Sequence, residues 1–268
     1  MVKTKLKKQV KQLVGGGKLI GQGSYGSVYV YNRSQVIKIS HFHENEEAKQ
    51  DTYRREVYFL ELLKDTGIVP ALKSSFEQGQ IGVQIMERFD GCMKDLGSTQ
   101  ALHKKLLVRS LLFTEKQFQV MCSLAKKLDF MGIHHGDFKL RNLLYQNEGH
   151  KIKVSDFGFA GSSTTPYSPL IGFVRHYGCP ATKLKVGDSF QLVSPIPDSV
   201  LPFANRMHLY MYFVRSMDRF FILQPTLSVT ALARSDLLTF LQLSLDQENE
   251  IYKYCPHLLK VKKKRKIT

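Results

Sequence analysis

The chain is short of acidic residues, short of cysteine, and without any long apolar run. Aspartate and glutamate number 23 against 39 lysines and arginines, a balance of +16 over 268 residues. That balance suggests attraction to polyanions, whether nucleic acid, anionic lipid or acidic protein, and says nothing about fold. Only four cysteines are present, Cys92, Cys122, Cys179 and Cys255. They are scattered without a CxxC pair, so a disulfide scaffold is not expected and free thiols in a reducing compartment are. No uninterrupted apolar run approaches the roughly 18 to 20 residues a membrane span requires. The opening MVKTKLKKQVKQLV lacks the apolar core of a secretory signal. No repeat and no dominating low-complexity tract is found. With 43% hydrophobic residues, the expectation is a globular intracellular protein, cytoplasmic or nuclear, with a real core.

The organisation changes along the chain. Residues 1–17 read as a basic tail or hinge that closes in Gly15-Gly16-Gly17. "KLIGQGSYGSVYVYNRSQVIKIS" then gives β-branched runs broken by turn residues, a meander of three strands with a turn at Asn32-Arg33-Ser34. From Glu46 to Lys64 the period becomes helical, with Tyr53, Val57, Leu60 and Leu63 on one face. Two short strands are expected near Ala71–Phe76 and Ile81–Glu87. Thr114, with Gln117 three residues on, has the form of a capping box. Phe118, Met121, Leu124, Ala125 and Leu128 follow as the buried stripe of a long helix ending at Gly132. "NLLYQ" and "KIKVSD" flank "NEGH" as a hairpin. Further helices are expected from Asn205 to Leu223 and from about Ser228 to Leu245. The stretch between Gly161 and about Pro202 shows little periodicity.

Several polar groups stand out against this apolar pattern. "GQGSYGSV" carries Gly21, Gly23 and Gly26. A lone GxGxxG is weak evidence, but here strand rather than helix follows it. That excludes the usual dinucleotide fingerprint and suits a hairpin whose backbone N–H groups approach a triphosphate. Lys38 lies inside the apolar run "VIKI", where an ammonium must be exposed or paired. Glu56, on the following helix, is a candidate partner. After the long helix comes "HHGDFKLRN", with Asp137, Lys139 and Asn142, and after the hairpin Asp156-Phe157-Gly158. Two carboxylates, an ammonium and an amide so close together suit a base, a phosphate contact and a seat for a metal ion.

In this order and at these spacings, the motifs resemble those of eukaryotic-type protein kinases, from about residue 18 to 160. "GQGSYGSV" is similar to the glycine-rich loop, "VIKI" to the strand lysine, and "RREVYFLELL" to the helix that bears its glutamate partner. "HHGDFKLRN" is similar to the catalytic loop and "SDFG" to the metal-binding turn. The resemblance implies an α+β, two-lobed fold. An N-terminal lobe (residues 18–88) would hold an antiparallel sheet and one helix, and a helical, abridged C-terminal lobe (89–259) would precede a basic tail (260–268). It implies ATP and Mg2+ as cofactors and protein substrates as partners. Gly21, Gly23, Ser24, Gly26 and Val28 would cover the nucleotide. Lys38, held by Glu56, would meet the α- and β-phosphates. Met86 would be the gatekeeper, and the Glu87–Phe89 backbone would meet adenine. Asp137 would orient or accept the substrate hydroxyl proton, Lys139 would steady the γ-phosphate, and Asn142 and Asp156 would hold the metal. Lysine two residues after the catalytic aspartate is the pattern resembling Ser/Thr kinases.

The pattern also departs from the family. Its His-Arg-Asp reads His135-Gly136-Asp137, so a glycine stands where an arginine would bind a phosphorylated loop, and activity independent of loop phosphorylation is expected. The Ala-Pro-Glu motif is absent, and Gln224 in "QPTLSV" replaces the arginine that would pair with its glutamate. The aspartate expected at the start of the large C-terminal helix has only Asn205 as a candidate. This economy resembles small kinases encoded by large DNA viruses, which would place the protein in a host cell or virion. The tail "KVKKKRKIT" suits nuclear import or polyanion contact. His41 and His43 read as an exposed loop pair. Ser162, Ser163, Thr164, Thr165, Tyr167 and Ser168 are candidate autophosphorylation sites. Two rival readings stay open: a catalytically silent kinase-like scaffold, and a small-molecule phosphotransferase of the aminoglycoside or choline kinase type, whose loop also contains "HGD".

Overall fold

The computed structural model describes residues 10–23, 26–42, 47–107, 110–162, 182–186, 189–193, 199–216 and 219–254. Ser24 and the candidate phosphorylation sites from Ser163 onward lie outside these, as do His43 and the basic tail. Two compact units form. One comprises the residues up to Asp90 together with Ser155–Gly158; the other comprises Gly91–Val154 and the residues from Phe159 onward.

The first unit is a five-stranded antiparallel sheet with one helix. Its strands are β1 (Leu19–Gly23), β2 (Gly26–Val30), β3 (Gln35–His41), β4 (Leu72–Gln78) and β5 (Ile81–Glu87), in the order β1-β2-β3-β5-β4. The expected meander is present. The turn between β2 and β3 is closed by Asn32, whose Oδ1 accepts the Ser34 N–H at 2.9 Å, the local bond that suits asparagine to turns. Helix α1 (Glu47–Leu62) docks through Tyr53, which donates its hydroxyl to the carbonyls of Val83 and Phe76 at 2.9 and 3.0 Å. Gly82 makes this approach possible: a Cβ there would meet the Tyr53 ring at 2.6 Å. The register pairs Ser40 with Gly82 and Lys38 with Gln84, so these residues share the face that receives α1.

The opposite face carries Ile37, Ile39, Ile81 and Val83, which form one buried cluster with Val14. Residues 10–14, read in the sequence as part of a basic tail, are helical here. The apolar side of that turn, Val10, Leu13 and Val14, explains the difference: it packs on the sheet while Lys11 is exposed.

The second unit is mainly helical. Helix α2 (Met93–His103), which the sequence reading did not anticipate, follows the short β6 (Gly91–Cys92). Helix α3 (Glu115–Phe130) starts at a complete capping box, with the Thr114 hydroxyl accepting from Gln117 N and the Thr114 N–H donating to Gln117 Oε1. All five residues of its expected stripe are buried. The strands β9 (Leu143–Gln146) and β10 (Lys151–Val154) form the expected antiparallel hairpin. Short β8 (Ile133–His134) pairs with β11 (Gly161–Ser162). A hairpin of β12 (Thr182–Val186) and β13 (Ser189–Val193) precedes α4 (Ala204–Ser216).

Two expected helices are shorter than read. The apolar run after Asn205 splits: α4 ends at Ser216, and Arg219–Leu223 becomes β14, parallel to β7 (Ser110–Thr114). Clustered Phe220, Phe221 and Ile222 fit a pleated surface as well as a helix, and the available edge of β7 decides. The second run becomes β15 (Val229–Ala231), α5 (Arg234–Leu241) and α6 (Leu245–Tyr254). Gln242, in the left-handed region at φ 51°, ends α5.

Candidate active site

In the first unit, the strand β3 places Lys38 and the helix α1 places Glu56 on the same side of the sheet. The Lys38 Nζ donates to both Glu56 oxygens, at 2.6 and 2.8 Å, and lies 3.5 Å from Asp156 Oδ1. Glu56 is buried and Lys38 nearly so. Burial works against the Lys38 ammonium, but the carboxylates of Glu56 and Asp156 more than offset it, and its pKa lies above the usual lysine range. The group is therefore a fixed cation.

Asp156 takes φ 67°, a conformation that non-glycine residues adopt at a cost. Its neighbours hold it there. The Phe157 ring stacks on Phe59 of α1 with centroids 6.1 Å apart. Gly158 lies so close to α1 that a Cβ would meet Thr52 Cγ2 at 2.4 Å. The glycine-rich hairpin is present as β1–β2, with Gly23 paired to Gly26. A Cβ at Gly26 would lie 2.6 Å from the Ile39 carbonyl, so that glycine lets β2 close onto β3. Gly21 and Val28 are register partners. Met86 pairs with Val36 and Leu72 at the end of β5. The Glu87 N–H is taken by the Ala71 carbonyl at 2.9 Å, and Phe89 is buried.

In the second unit, Asp137, Lys139 and Asn142 come together on one tight loop. Asp137 Oδ2 accepts from Lys139 Nζ at 2.5 Å and from Asn142 Nδ2 at 3.1 Å. The same Asn142 nitrogen also donates to the Asp137 carbonyl at 2.9 Å. This commits the Asn142 nitrogen to the loop and turns its amide oxygen to the acceptor role that a hard cation needs. Asn142 in the second unit and Asp156 in the first each offer an oxygen donor of the type that Mg2+ takes. Among the described residues no three His, Cys, Asp or Glu side chains gather to hold a metal by themselves.

Gly136 accounts for the missing arginine. It sits at φ 79°, and a Cβ would lie 2.3 Å from the Phe159 carbonyl oxygen. Both the backbone conformation and the close approach require glycine here.

Asn205, the weak candidate, anchors the loop. Its Oδ1 accepts the His135 N–H at 2.9 Å, and its Nδ2 donates to the Ile133 carbonyl at 2.7 Å. Sequence reasoning missed its partner. Asp129 accepts from Arg206 Nε at 2.9 Å as well as from Asn205. The available signal was an aspartate beside the buried stripe of α3, one residue after Leu128.

The protein kinase domain family model matches residues 16–177, and the chain belongs to that family. It is 30% identical over 154 residues to the human serine/threonine-protein kinase Nek5, a match covering 53% of this chain and 20% of that protein. The chain thus spans about a fifth of that relative's length. A crystal structure of a kinase domain is similar over 58% of this chain and 54% of its own, with a TM-score of 0.44 and 15% sequence identity.

Proposed function

We propose that the protein is a Mg2+- and ATP-dependent protein serine/threonine kinase. The observation that carries this reading is the buried Lys38–Glu56 ion pair with Asp156 at its side. A buried pair of this kind costs desolvation and is weak as a stabilising device, so its retention points to use. A binding scaffold has no need of it.

Within this reading each residue has one task. Lys38, kept cationic and aimed by Glu56, neutralises charge on the α- and β-phosphates. Asp137 receives or orients the proton of the acceptor hydroxyl, whose oxygen bonds to the γ-phosphorus as the bond to the β–γ bridging oxygen breaks. Lys139 offsets charge on the moving phosphoryl group. Asn142 and Asp156 would hold the magnesium ion, which supplies further neutralisation of the phosphate oxygens. Phosphoryl transfer asks for positioning and charge more than covalent chemistry, and these residues supply both. The preference for serine and threonine is supported by Lys139 and by the partial likeness to Nek5.

The experiment is phosphorylation by the full chain with labelled ATP, offered protein, aminoglycoside and choline acceptors in parallel. Mass spectrometry then maps the modified residues. Label on protein serine or threonine is the expected outcome; label on the small molecules alone contradicts it. The net charge of +16 extends the proposal to acidic or nucleic-acid-associated substrates and to a cytoplasmic or nuclear location. Deleting residues 260–268 should then weaken heparin retention and shift a fluorescent fusion out of the nucleus.

A further inference from the structure

One buried amide in the first unit is left over by the roles assigned so far. Gln84 stands in the apolar run "IGVQIM" of β5 and is 0% exposed. Among the described residues neither its Nε2 nor its Oε1 makes a hydrogen bond of full geometry, although the amide lies near enough to the Glu56 carboxylate to lower its pKa. Burying an amide this way costs free energy that methionine or leucine would not. The adjacent positions Val83 and Ile85 show that the strand accommodates apolar side chains. The amide is therefore a liability unless a neighbouring charged group uses it.

Its position identifies the user. Gln84 is directly opposite Lys38 in the β3–β5 register, with Cβ atoms about 5 Å apart in such pairs. Both residues face α1, where Tyr53 is seated over Gly82 and Glu56 lies one turn further along. Glu56 is 3% exposed and accepts two hydrogen bonds from the Lys38 ammonium. If Lys38 carries phosphate charge, as the proposed function requires, it must share its single cation between Glu56 and the nucleotide. A buried carboxylate that loses neutralisation is strongly unfavourable.

We propose that Gln84 is a positioning residue: its side-chain N–H donates to the Glu56 carboxylate when Lys38 engages phosphate. The helix α1 then keeps its place while the lysine is drawn elsewhere. The amide already acts on that carboxylate's charge. Burial pushes the Glu56 pKa up, the Lys38 ammonium pulls it down, and the Gln84 amide adds to the downward pull. No other neutral donor side chain of β5 faces α1, since Gly82 and Met86 occupy the flanking positions on that face.

This inference rests on the kinase reading, and the test separates the two. Gln84→Met keeps the volume and removes the amide; Gln84→Leu repeats the change with a second apolar shape. Melting temperature without nucleotide, the Kd for Mg·ATP, and kcat and KM on a protein acceptor are measured on the full chain. The expected result has opposite signs. Each variant melts at or above the wild-type temperature yet binds Mg·ATP about tenfold more weakly, the weight of one hydrogen bond to a charged group. Unchanged Mg·ATP binding in a stable variant overturns the inference alone. Stability and binding falling together mark a packing role and overturn it too. Failure of the wild-type chain to bind Mg·ATP overturns the kinase reading and this inference with it.

Discussion

Asn205 gives two hydrogen bonds to one oxygen of Asp129: its backbone N–H and its side-chain Nδ2 both reach Oδ1 at 2.8 Å. The same side chain accepts the His135 N–H two residues before Asp137. The start of α4, the end of α3 and the catalytic loop are thereby tied through a single amide.

Replacing Asn205 with alanine would leave a buried carboxylate short of a donor and a buried N–H without an acceptor. The expected cost is about 2–4 kcal/mol of stability. Turnover should fall about 10- to 100-fold, the effect of a loop displaced by a fraction of an ångström to an ångström. Urea unfolding and steady-state kinetics on one preparation check both numbers; an intact kcat would break the link between anchor and chemistry.

Asp129 gives a pH signature. Burial raises its pKa to about 6, against the hydrogen bonds of Asn205 and Arg206 that pull it down. An acid whose folded pKa is raised above its unfolded value of about 3.8 binds more protons in the folded state. Its contribution to stability is therefore full below pH 4 and is lost as pH rises to about 6. Melting curves of wild type and Asp129→Asn between pH 4 and 7 isolate it. The wild-type advantage should shrink as pH rises to about 6 and stay level above. An advantage that grows with pH contradicts the assignment.

Gly136 is expected to reject any side chain. Gly136→Ala forces a Cβ to within 2.3 Å of the Phe159 carbonyl oxygen at φ 79°. Strain of about 1–3 kcal/mol is expected from the backbone alone, with the clash in addition. Gly136→Arg, which would restore the family residue, should be at least as destabilising and should not raise activity. Calorimetry of the two variants decides; a stable, more active arginine variant would show that the loop can reshape.

The second unit carries an ion pair that the sequence reading did not foresee. Gln224 stands where the family's arginine would pair with the missing glutamate. Arg234 pairs with Glu248, which also accepts from Tyr210, and the guanidinium lies 4.7 Å from the centre of the Tyr252 ring. Removing one partner leaves a buried charge. Arg234→Met should therefore cost about 3–5 kcal/mol, and the double change with Glu248→Gln should recover part of it. Additive losses in a double-mutant cycle would mean that the pair is not coupled.

These residues also mark where sequence stopped being informative. The Lys38–Glu56 pairing and the Asp137, Lys139 and Asn142 cluster were legible because an ammonium inside an apolar strand needs a partner and because the three loop residues lie close together in the chain. The meander of the first three strands was legible because its β-branched runs are separated by turn residues, as at Asn32-Arg33-Ser34. The helix α2 was missed because "MKDLGSTQALH" has a glycine and a weak apolar stripe. The strand β14 was read as helix because Phe220, Phe221 and Ile222 fit either period, and only the distant edge of β7 selects one. Gln84 and Asp129 sit in apolar surroundings much as Lys38 does, but their value comes from partners 28 and 76 residues away. Spacing along the chain does not show that.

The account stands most directly on the Asp137 carboxylate. The decisive measurement is the rate of phosphoryl transfer from Mg·ATP to a protein hydroxyl by the full chain and by Asp137→Asn, with binding of Mg·ATP measured on both. The expected result is a turnover lowered about 10²- to 10⁴-fold, the range for a positioned base, with nucleotide affinity nearly unchanged. Equal turnover in the two proteins, or no transfer by the wild type, would contradict it.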